Sequence, residues 1–266
     1  MNRYQTFTKV ENANLVNSTL RSIELCITTA CNRSCSFCPH DWGFKTEDTR
    51  EKFVSLETVD RLIEFLSEYN NQITLCGMGE PTMHPHIKEI LDKFQKLNNK
   101  VILVTNGYKL HDVVDHLGHI RPRVSLYEPM DLPDIDMDVI NYYEEGENVN
   151  FNQRSYSEGI KKPCYLPSYK MVVDTTGGIL PCDNNWQEIE YLANIFDYDL
   201  ETVWLDKFNT FRTNCSKDRS LNNYCRNCDA GGILYGSEEM QLLTNCLLHT
   251  SPSPRDQRGS RMPSSA

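Results

Sequence analysis

The sequence has no apolar run close to the roughly 20 residues that a membrane-spanning helix needs, and no apolar signal segment near its start. It has no internal repeats, and no low-complexity segment precedes residue 246. Basic residues are in the minority, because 27 lysines and arginines stand against 37 aspartates and glutamates, a formal charge of −10. We therefore expect no membrane partner and no nucleic-acid partner, since a nucleic-acid-binding surface is normally basic.

Cysteine, by contrast, is abundant, with eleven residues in a chain of 266. Without a secretion signal, so many cysteines indicate metal or redox ligands in a reducing compartment rather than disulfide bonds. The composition and the negative charge are therefore typical of a cytoplasmic enzyme with a small or uncharged substrate.

Composition also divides the chain into segments. Residues 1–20 are expected to be an N-terminal extension, 21–160 an α/β region and 161–245 a cysteine-rich region. Residues 246–266 resemble the translation of a sequencing adapter, and we expect an artefact that does not pack. A genuine disordered tail rich in serine, proline and arginine is the alternative.

Short apolar runs alternate with amphipathic stretches in the α/β region. Strands are predicted over residues 23–28, 72–76, 101–104, 123–127 and 148–151. Helices are predicted near residues 55–66, 87–97, 109–118 and 134–144. Such alternation favours right-handed crossovers and a parallel sheet, open or barrel-like. The cysteine-rich region is predicted to hold a hairpin over 171–180 and helices near 199–212 and 237–245.

Three cysteines, Cys31, Cys35 and Cys38, directly follow the first predicted strand. Thiolates are soft anionic ligands, and three of them in one loop need a metal to offset their repulsion. A closed zinc site or an ordinary cubane cluster takes four protein ligands, so three leave one metal coordination site free. The alternative is a zinc knuckle with a fourth ligand from elsewhere: His40, Cys26 or Cys76.

This spacing, with Phe37 just before the third cysteine, resembles the radical S-adenosylmethionine (radical SAM) superfamily. The resemblance implies a partial (β/α)6 TIM-like barrel followed by a small C-terminal cysteine-rich domain of a β-hairpin and helices. It also implies a [4Fe–4S] cluster on the three cysteines, whose fourth iron chelates the methionine part of S-adenosylmethionine. Chemistry in such barrels lies at the carboxyl ends of the strands.

Two turns at predicted strand ends extend the resemblance. The segment Gly77-Met78-Gly79-Glu80-Pro81 resembles the superfamily's Gly-Gly-Glu-Pro turn, which binds the amino group of S-adenosylmethionine, although Met78 leaves the role of the first glycine open. Thr105-Asn106-Gly107 matches a Thr-Asn-Gly turn near the cofactor. Either segment could also be a plain connection between a strand and a helix. The resemblance implies these cofactor contacts: Phe37, Gly79, Glu80, Asn106, Ser125 and Arg154.

A second set of cysteines is Cys164, Cys182, Cys225 and Cys228, separated by 17, 42 and 2 residues. A Cys-x-x-Cys pair with two distant cysteines makes a four-ligand set, for which a zinc ribbon and an iron–sulfur cluster are both open. The set resembles the Twitch domain, the shortened SPASM module of radical SAM enzymes, which carries an auxiliary [4Fe–4S] cluster. Its spacing is most similar to that of aminocyclitol dehydrogenases acting on 2-deoxy-scyllo-inosamine. We expect Cys215 to be a packing cysteine, with replacement of one of these ligands as the alternative.

The resemblance implies reductive cleavage of S-adenosylmethionine to a 5′-deoxyadenosyl radical, with electrons from a protein such as flavodoxin or ferredoxin. An auxiliary cluster with four protein ligands would accept the substrate radical's electron, giving a net two-electron oxidation. Three functions compete at this point. They are the oxidation of a small polyol or amino sugar, the radical oxidation or cross-linking of a peptide side chain, and a zinc-stabilised binding module without activity.

Overall fold

The computed structural model describes residues 20–35, 38, 53–69, 71–142, 164, 166–183, 185 and 191–228. The strand expected over 148–151, the helix expected over 237–245 and the tail from 246 lie outside the described residues. Within the described ranges, no helix combines the length and the apolar character needed to cross a bilayer.

The described chain forms a mixed sheet of eight strands in the order β5-β4-β3-β2-β1-β6-β7-β8. Six of them are parallel: β1 (Ser22–Cys26), β2 (Gln72–Cys76), β3 (Val101–Thr105), β4 (Arg121–Leu126), β5 (Asp138–Asn141) and β6 (Lys170–Val173). The last two, β7 (Gly178–Leu180) and β8 (Ala193–Asn194), pair antiparallel. This parallel-dominated α/β sheet confirms the expected fold class.

Helical segments connect the first four strands. Helix α1 (Leu56–Glu68) lies between β1 and β2, and α2 (Ile87–Phe94) lies between β2 and β3. α1 begins where the sequence predicts, because the Ser55 hydroxyl accepts the Thr58 N–H at 3.0 Å. The weak helix expected over 109–118 is a 3₁₀ segment, Leu110–His116. Shorter 3₁₀ turns cover Pro81–Met83, Leu166–Ser168, Arg219–Leu221 and Tyr224–Asn227.

The pleat of β1 directs alternate side chains to opposite faces of the sheet, and one of these faces packs in the apolar core. Ile23, Leu25 and Ile27 are fully buried and belong to the same core cluster as the apolar residues of α1 and α2. Burial of each such side chain contributes about 1.5–3 kcal/mol. Glu24 and Cys26 alternate with them and therefore face the other side of the sheet.

The acidic helix predicted near 134–144 is wrong. Asp138–Asn141 is the edge strand β5, which pairs parallel to β4. Arg121 on β4 forms ion pairs with two acidic residues at this edge. Its guanidinium lies 2.6 Å from Asp136 and 2.8 Å from Asp138. Pairing with β4 therefore outweighs the local helical pattern.

The hairpin predicted over 171–180 is confirmed by the antiparallel pairing of β6 and β7. β6 also pairs parallel to β1, so the cysteine-rich region continues the sheet that begins with the first strand. The helix predicted over 199–212 extends further and has three parts: α3 (Leu200–Thr202), a π-helical turn (Val203–Lys207) and α4 (Phe208–Lys217).

A buried charge cluster joins β1 to the cysteine-rich region. The Lys170 ammonium on β6 lies 2.7 Å from the Glu24 carboxylate and 2.6 Å from the Asp183 carboxylate. Burial opposes the charge on Lys170, but Asp183 and Glu24 together raise the pKa of this lysine. Asp183 directly follows Cys182, so this ion cluster links the proposed auxiliary site to the first strand.

Replacing Lys170 with methionine should lower the free energy of unfolding by about 3–5 kcal/mol, because the buried Asp183 and the half-buried Glu24 would lose their cation. Chemical unfolding of the reduced protein measures the change. The matched control is Lys93→Met, since Lys93 pairs with Asp60 at the surface, and we expect a loss below about 1 kcal/mol. Equal losses in the two variants would contradict a special role for the buried cluster.

Candidate active site and metal centres

The loop that carries Cys31, Cys35 and Cys38 leaves the carboxyl end of β1. Cys31 is exposed and the other two cysteines are half-buried, and the Cys38 N–H donates to the Cys35 carbonyl at 2.8 Å. Burial of the sulfur raises the pKa of the Cys31 thiol, and the Arg33 backbone N–H works against this shift. The negative charges of Glu80, Cys38 and Cys35 raise this pKa further, so Cys31 lies close enough to the other two cysteines for their charges to affect it.

The geometry of this loop differs from that of a single-ion site. Among the described residues, no three histidine, cysteine or acidic side chains converge as the ligands of one ion would. Each cysteine that binds a cubane cluster bonds a different iron, so the cysteine sulfurs need not converge on one metal ion. Two of the suggested zinc ligands, Cys26 and Cys76, hydrogen-bond to each other within the sheet, and the third, His40, lies outside the described residues.

The glycine turn after β2 packs directly on the backbone of the cysteine loop. The Gly79 N–H donates to the Thr28 carbonyl at 2.9 Å, and the Glu80 N–H donates to the Ala30 carbonyl at 2.8 Å. A Cβ atom on Gly79 would lie 2.1 Å from the Ala30 oxygen, and one on Gly77 would lie 2.5 Å from the Thr28 oxygen. Both positions therefore require glycine because the two loops touch.

Gly79→Ala should push the cysteine loop away from the turn. Overpacking against backbone costs about 1–3 kcal/mol. A displacement of that cost lowers the binding constant of this loop for a cluster about 5- to 150-fold. Iron content and visible absorption after anaerobic reconstitution measure the effect. Met78→Ala, at the neighbouring position, should keep its iron, and an unchanged iron content in Gly79→Ala would contradict the close approach.

The Glu80 carboxylate binds the ends of β2 and β3 together. Its Oε1 accepts the Thr82 N–H at 3.1 Å, the Thr82 hydroxyl at 2.8 Å and the Thr105 hydroxyl at 2.6 Å, and its Oε2 accepts the Asn106 N–H at 2.7 Å. Burial raises the pKa of Glu80, although these four donors favour the ionised carboxylate. The Asn106 side chain in turn donates to Asn32 in the cysteine loop at 2.9 Å.

A fourth strand end joins this network through Arg33. Its guanidinium lies 2.5 Å from the Glu128 carboxylate, which follows β4, and it also hydrogen-bonds to the Cys35 side chain. The same guanidinium lies over the Tyr127 ring, 5.5 Å from its centroid. The cysteine loop is therefore held by the segments that follow β2, β3 and β4.

The structure brings together three of the expected cofactor-contact residues and supplies contacts that the sequence did not indicate. Gly79, Glu80 and Asn106 contact one another's loops or the cysteine loop, and Ser125 is half-buried near the carboxyl end of β4. Phe37 and Arg154 lie outside the described residues. The residue that the sequence did not indicate is Thr82, whose hydroxyl contacts Glu80. Thr105 belongs to the Thr-Asn-Gly turn, but its bond to Glu80 is seen only in the structure.

The second set of cysteines lines one cavity between α4 and the segments that flank it. The cavity is small and partly open to solvent, and its walls include apolar side chains such as Leu166 and Phe211. Its sulfur-bearing residues are Cys164, Cys182, Cys215, Cys225 and Cys228. Cys215 is therefore buried, as expected of a packing cysteine, but it packs beside the expected ligands.

Electrostatics at this cavity suit a group that carries positive charge. Burial raises the pKa of the Cys164 thiol to about 11, and the charges of Cys228 and Cys225 add to this effect, whereas Arg219 opposes it. Burial also raises the pKa of Cys182 well above its ordinary value. Four thiolates could ionise together here only with metal cations among them. Soft donors in a largely apolar cavity therefore fit an iron–sulfur cluster with four protein ligands.

Models of known protein families match both the α/β region and the cysteine-rich region of the chain. Residues 25–176, more than half of the chain, match the model of the radical SAM superfamily. Residues 164–229 match the SPASM iron–sulfur cluster-binding domain.

The chain is similar to the S-adenosyl-L-methionine-dependent 2-deoxy-scyllo-inosamine dehydrogenase of Niallia circulans, with 25% identity over 78% of this chain and 92% of the relative. A GTP 3′,8-cyclase of Actinobacillus pleuropneumoniae is 30% identical over 35% of this chain and 28% of the cyclase. Among solved structures, BtrN in complex with AdoMet and 2-DOIA has a TM-score of 0.67 at 18% identity, covering 82% of this chain and 96% of that chain. Streptococcus suis SuiB bound to precursor peptide SuiA has a TM-score of 0.52 at 14% identity, covering 91% and 76%.

Proposed function

The chain belongs to the radical SAM superfamily, and we propose that it catalyses the oxidation of a small polyol or amino sugar. It is an enzyme of the oxidoreductase type whose cofactors are S-adenosylmethionine and [4Fe–4S] clusters. The observation that supports the proposed oxidation is the second cavity, whose walls include the four cysteines of the second set together with Cys215.

In this proposal Cys31, Cys35 and Cys38 hold the cluster that binds S-adenosylmethionine. When bound there, the cluster and S-adenosylmethionine would supply a 5′-deoxyadenosyl radical after accepting one electron from the donor protein, and that radical could take a hydrogen atom from the substrate. The Glu80 carboxylate lies next to the cysteine loop and would accept a hydrogen bond from the cofactor's amino group. Burial raises the pKa of Glu80, and a nearby ammonium would offset the cost of burying its charge. The other proposed cofactor contacts are Phe37, Gly79, Asn106, Ser125 and Arg154.

Cys164, Cys182, Cys225 and Cys228 are the proposed ligands of the auxiliary cluster. Oxidation of a CH–OH carbon to a carbonyl removes a hydrogen atom, one electron and one proton. A cluster whose irons all have protein ligands has no open position for substrate, so its role is to take the electron. The Glu24–Lys170–Asp183 ion cluster supports this role, because it fixes the segment of Cys182 against β1.

The substrate class rests on the dehydrogenase from Niallia circulans, which shares 25% identity over 92% of its own length. Two proteins with this identity can differ in the side chains that contact the substrate. We therefore propose only the class of substrate, a cyclic or linear molecule with several hydroxyl groups or with amino groups. Individual members of this class are then tested separately.

Radical oxidation or cross-linking of a peptide side chain is the second candidate. Strand β8 ends the sheet in the described chain, and three half-exposed aromatic residues flank it: Tyr191, Phe196 and Tyr198. An edge strand with aromatic neighbours can pair with an extended peptide. In either case we propose a cytoplasmic enzyme that receives its electrons from a protein such as flavodoxin or ferredoxin.

The test is anaerobic reconstitution with iron and sulfide, followed by dithionite and S-adenosylmethionine. We expect a brown protein that releases 5′-deoxyadenosine, and deuterated polyols and amino sugars should transfer deuterium to it. Cys35→Ala should reduce release to the rate without enzyme, because one of three cluster ligands is lost.

Two outcomes would contradict the proposal. A colourless protein that binds zinc would support the binding module instead. Deuterium transfer from a peptide, with none from polyols or amino sugars, would favour the second candidate.

A further inference from the structure

Cys215 lies beside the proposed auxiliary ligands in a specific arrangement. Its Sγ is 3.9 Å from the Sγ of Cys225, and its side chain is fully buried. Its carbonyl oxygen accepts the backbone N–H of Cys164 at 2.9 Å. Both its sulfur and its backbone therefore contact residues that are proposed to bind iron.

The hydrogen-bonding direction between the two sulfurs follows from their chemistry. A cysteine that bonds iron has lost its proton, so Cys225 can only accept and Cys215 must donate. The Asn222 side-chain amide donates to the Cys215 sulfur at 3.1 Å. This contact occupies the acceptor side of Cys215 and leaves its S–H to face Cys225.

Asn222 is itself fixed in the orientation that this arrangement needs. Its Nδ2 also donates to the Phe211 carbonyl at 3.3 Å, and its Oδ1 accepts from the Asn214 side chain at 3.0 Å. The amide cannot turn its oxygen toward Cys215 without losing both bonds. The Cys215 sulfur is therefore held as an acceptor from Asn222 and as a donor to Cys225.

We propose that Cys215 is a positioning residue of the auxiliary centre, which donates an S–H hydrogen bond to the iron-bound sulfur of Cys225 and raises the reduction potential of that cluster. The inference rests on the proposed function, in which Cys225 is a ligand. Hydrogen bonds to the sulfurs tune the potentials of iron–sulfur clusters. A donor at this sulfur stabilises the reduced cluster, because reduction adds one negative charge. The cluster then accepts the substrate's electron more readily.

The experiment uses the full chain with Cys31, Cys35 and Cys38 replaced by alanine, so that only the auxiliary cluster titrates. Anaerobic redox titration followed by EPR gives its potential. Cys215→Ala and Cys215→Val both remove the donor, and the valine keeps most of the volume. We expect each to lower the equilibrium constant for reduction about tenfold, equivalent to about 59 mV for one electron. Cys215→Ser retains a donor and should stay within about threefold, and Cys26→Ala should cause no shift.

Each result decides the question. An unchanged potential in the alanine and valine variants, with the cluster retained, would overturn the hydrogen bond and leave the proposed function intact. Loss of the cluster's iron in all three Cys215 variants would make Cys215 a ligand and would also overturn it. If the chain with Cys215 intact binds no cluster in this background, the proposed auxiliary site itself fails, and this inference fails with it.

Discussion

Replacing Glu80 with glutamine should weaken the binding of S-adenosylmethionine about 100-fold, which corresponds to about 3 kcal/mol. The free energy of unfolding should fall less, by about 1–2 kcal/mol. This difference between the two effects is the informative part of the result. A larger loss of binding than of stability indicates a carboxylate that mainly binds a cation, whereas a larger loss of stability indicates one that mainly supports the turn.

The expected difference follows from the surroundings of Glu80 in the protein. Four donors from Thr82, Thr105 and Asn106 surround its carboxylate, and a glutamine oxygen can keep most of them. Burial raises the pKa of Glu80, so the fold alone does not favour its charge. A bound ammonium benefits from that charge directly, and the amide of glutamine cannot replace it.

Isothermal titration with S-adenosylmethionine, on the reconstituted protein, measures the binding change, and guanidinium unfolding measures the stability change. Glu64→Gln is the control, because Glu64 is exposed on α1 and pairs only weakly with Arg61. It should alter binding less than about twofold. Binding in Glu80→Gln within about threefold of the unchanged protein would contradict the assignment of Glu80 to the amino group.

The positions of the expected cofactor loops at strand ends could be predicted from the sequence, because the pattern that marks a strand and its following turn is local. The Gly79-Glu80 turn and the Asn106 turn each follow a short apolar strand, and in a parallel sheet such strand ends meet at one edge. What the spacing could not show was the contact between these loops. The approach of Gly79 to the Ala30 carbonyl, and the bonds from Thr105 and Asn106 to Glu80, depend on the register between β1, β2 and β3.

Predictions from the sequence failed where contacts between residues far apart in the chain determine the local structure. The acidic stretch around Asp138 reads locally as a helix, but Arg121 and the free edge of β4 make it a strand. The Lys170 ion cluster joins three segments that are far apart in the chain, so no local pattern indicates it. Cys215 lacks a motif spacing, and only the fold shows that its sulfur meets Cys225.

Cys225→Ala should separate radical formation from substrate oxidation. We expect the variant to release 5′-deoxyadenosine at a rate similar to that of the unchanged enzyme, while the oxidised product falls at least about 100-fold. The reason is the electron balance, since the substrate radical must lose one more electron after the hydrogen atom. Without the fourth ligand in the cavity of Cys164, Cys182 and Cys228, we expect no stable cluster to receive that electron.

Iron analysis and product analysis together test this expectation. Bound iron should fall from about eight atoms per chain to about four, since each cubane holds four. Cys26→Ala removes a buried cysteine of the sheet instead and should change neither the iron content nor the yield of product. Full product yield from Cys225→Ala, with the cluster of Cys31 intact, would remove the auxiliary centre from the reaction. The oxidation would then need another electron acceptor, and the case for a dehydrogenase would weaken in favour of a redox-neutral radical reaction.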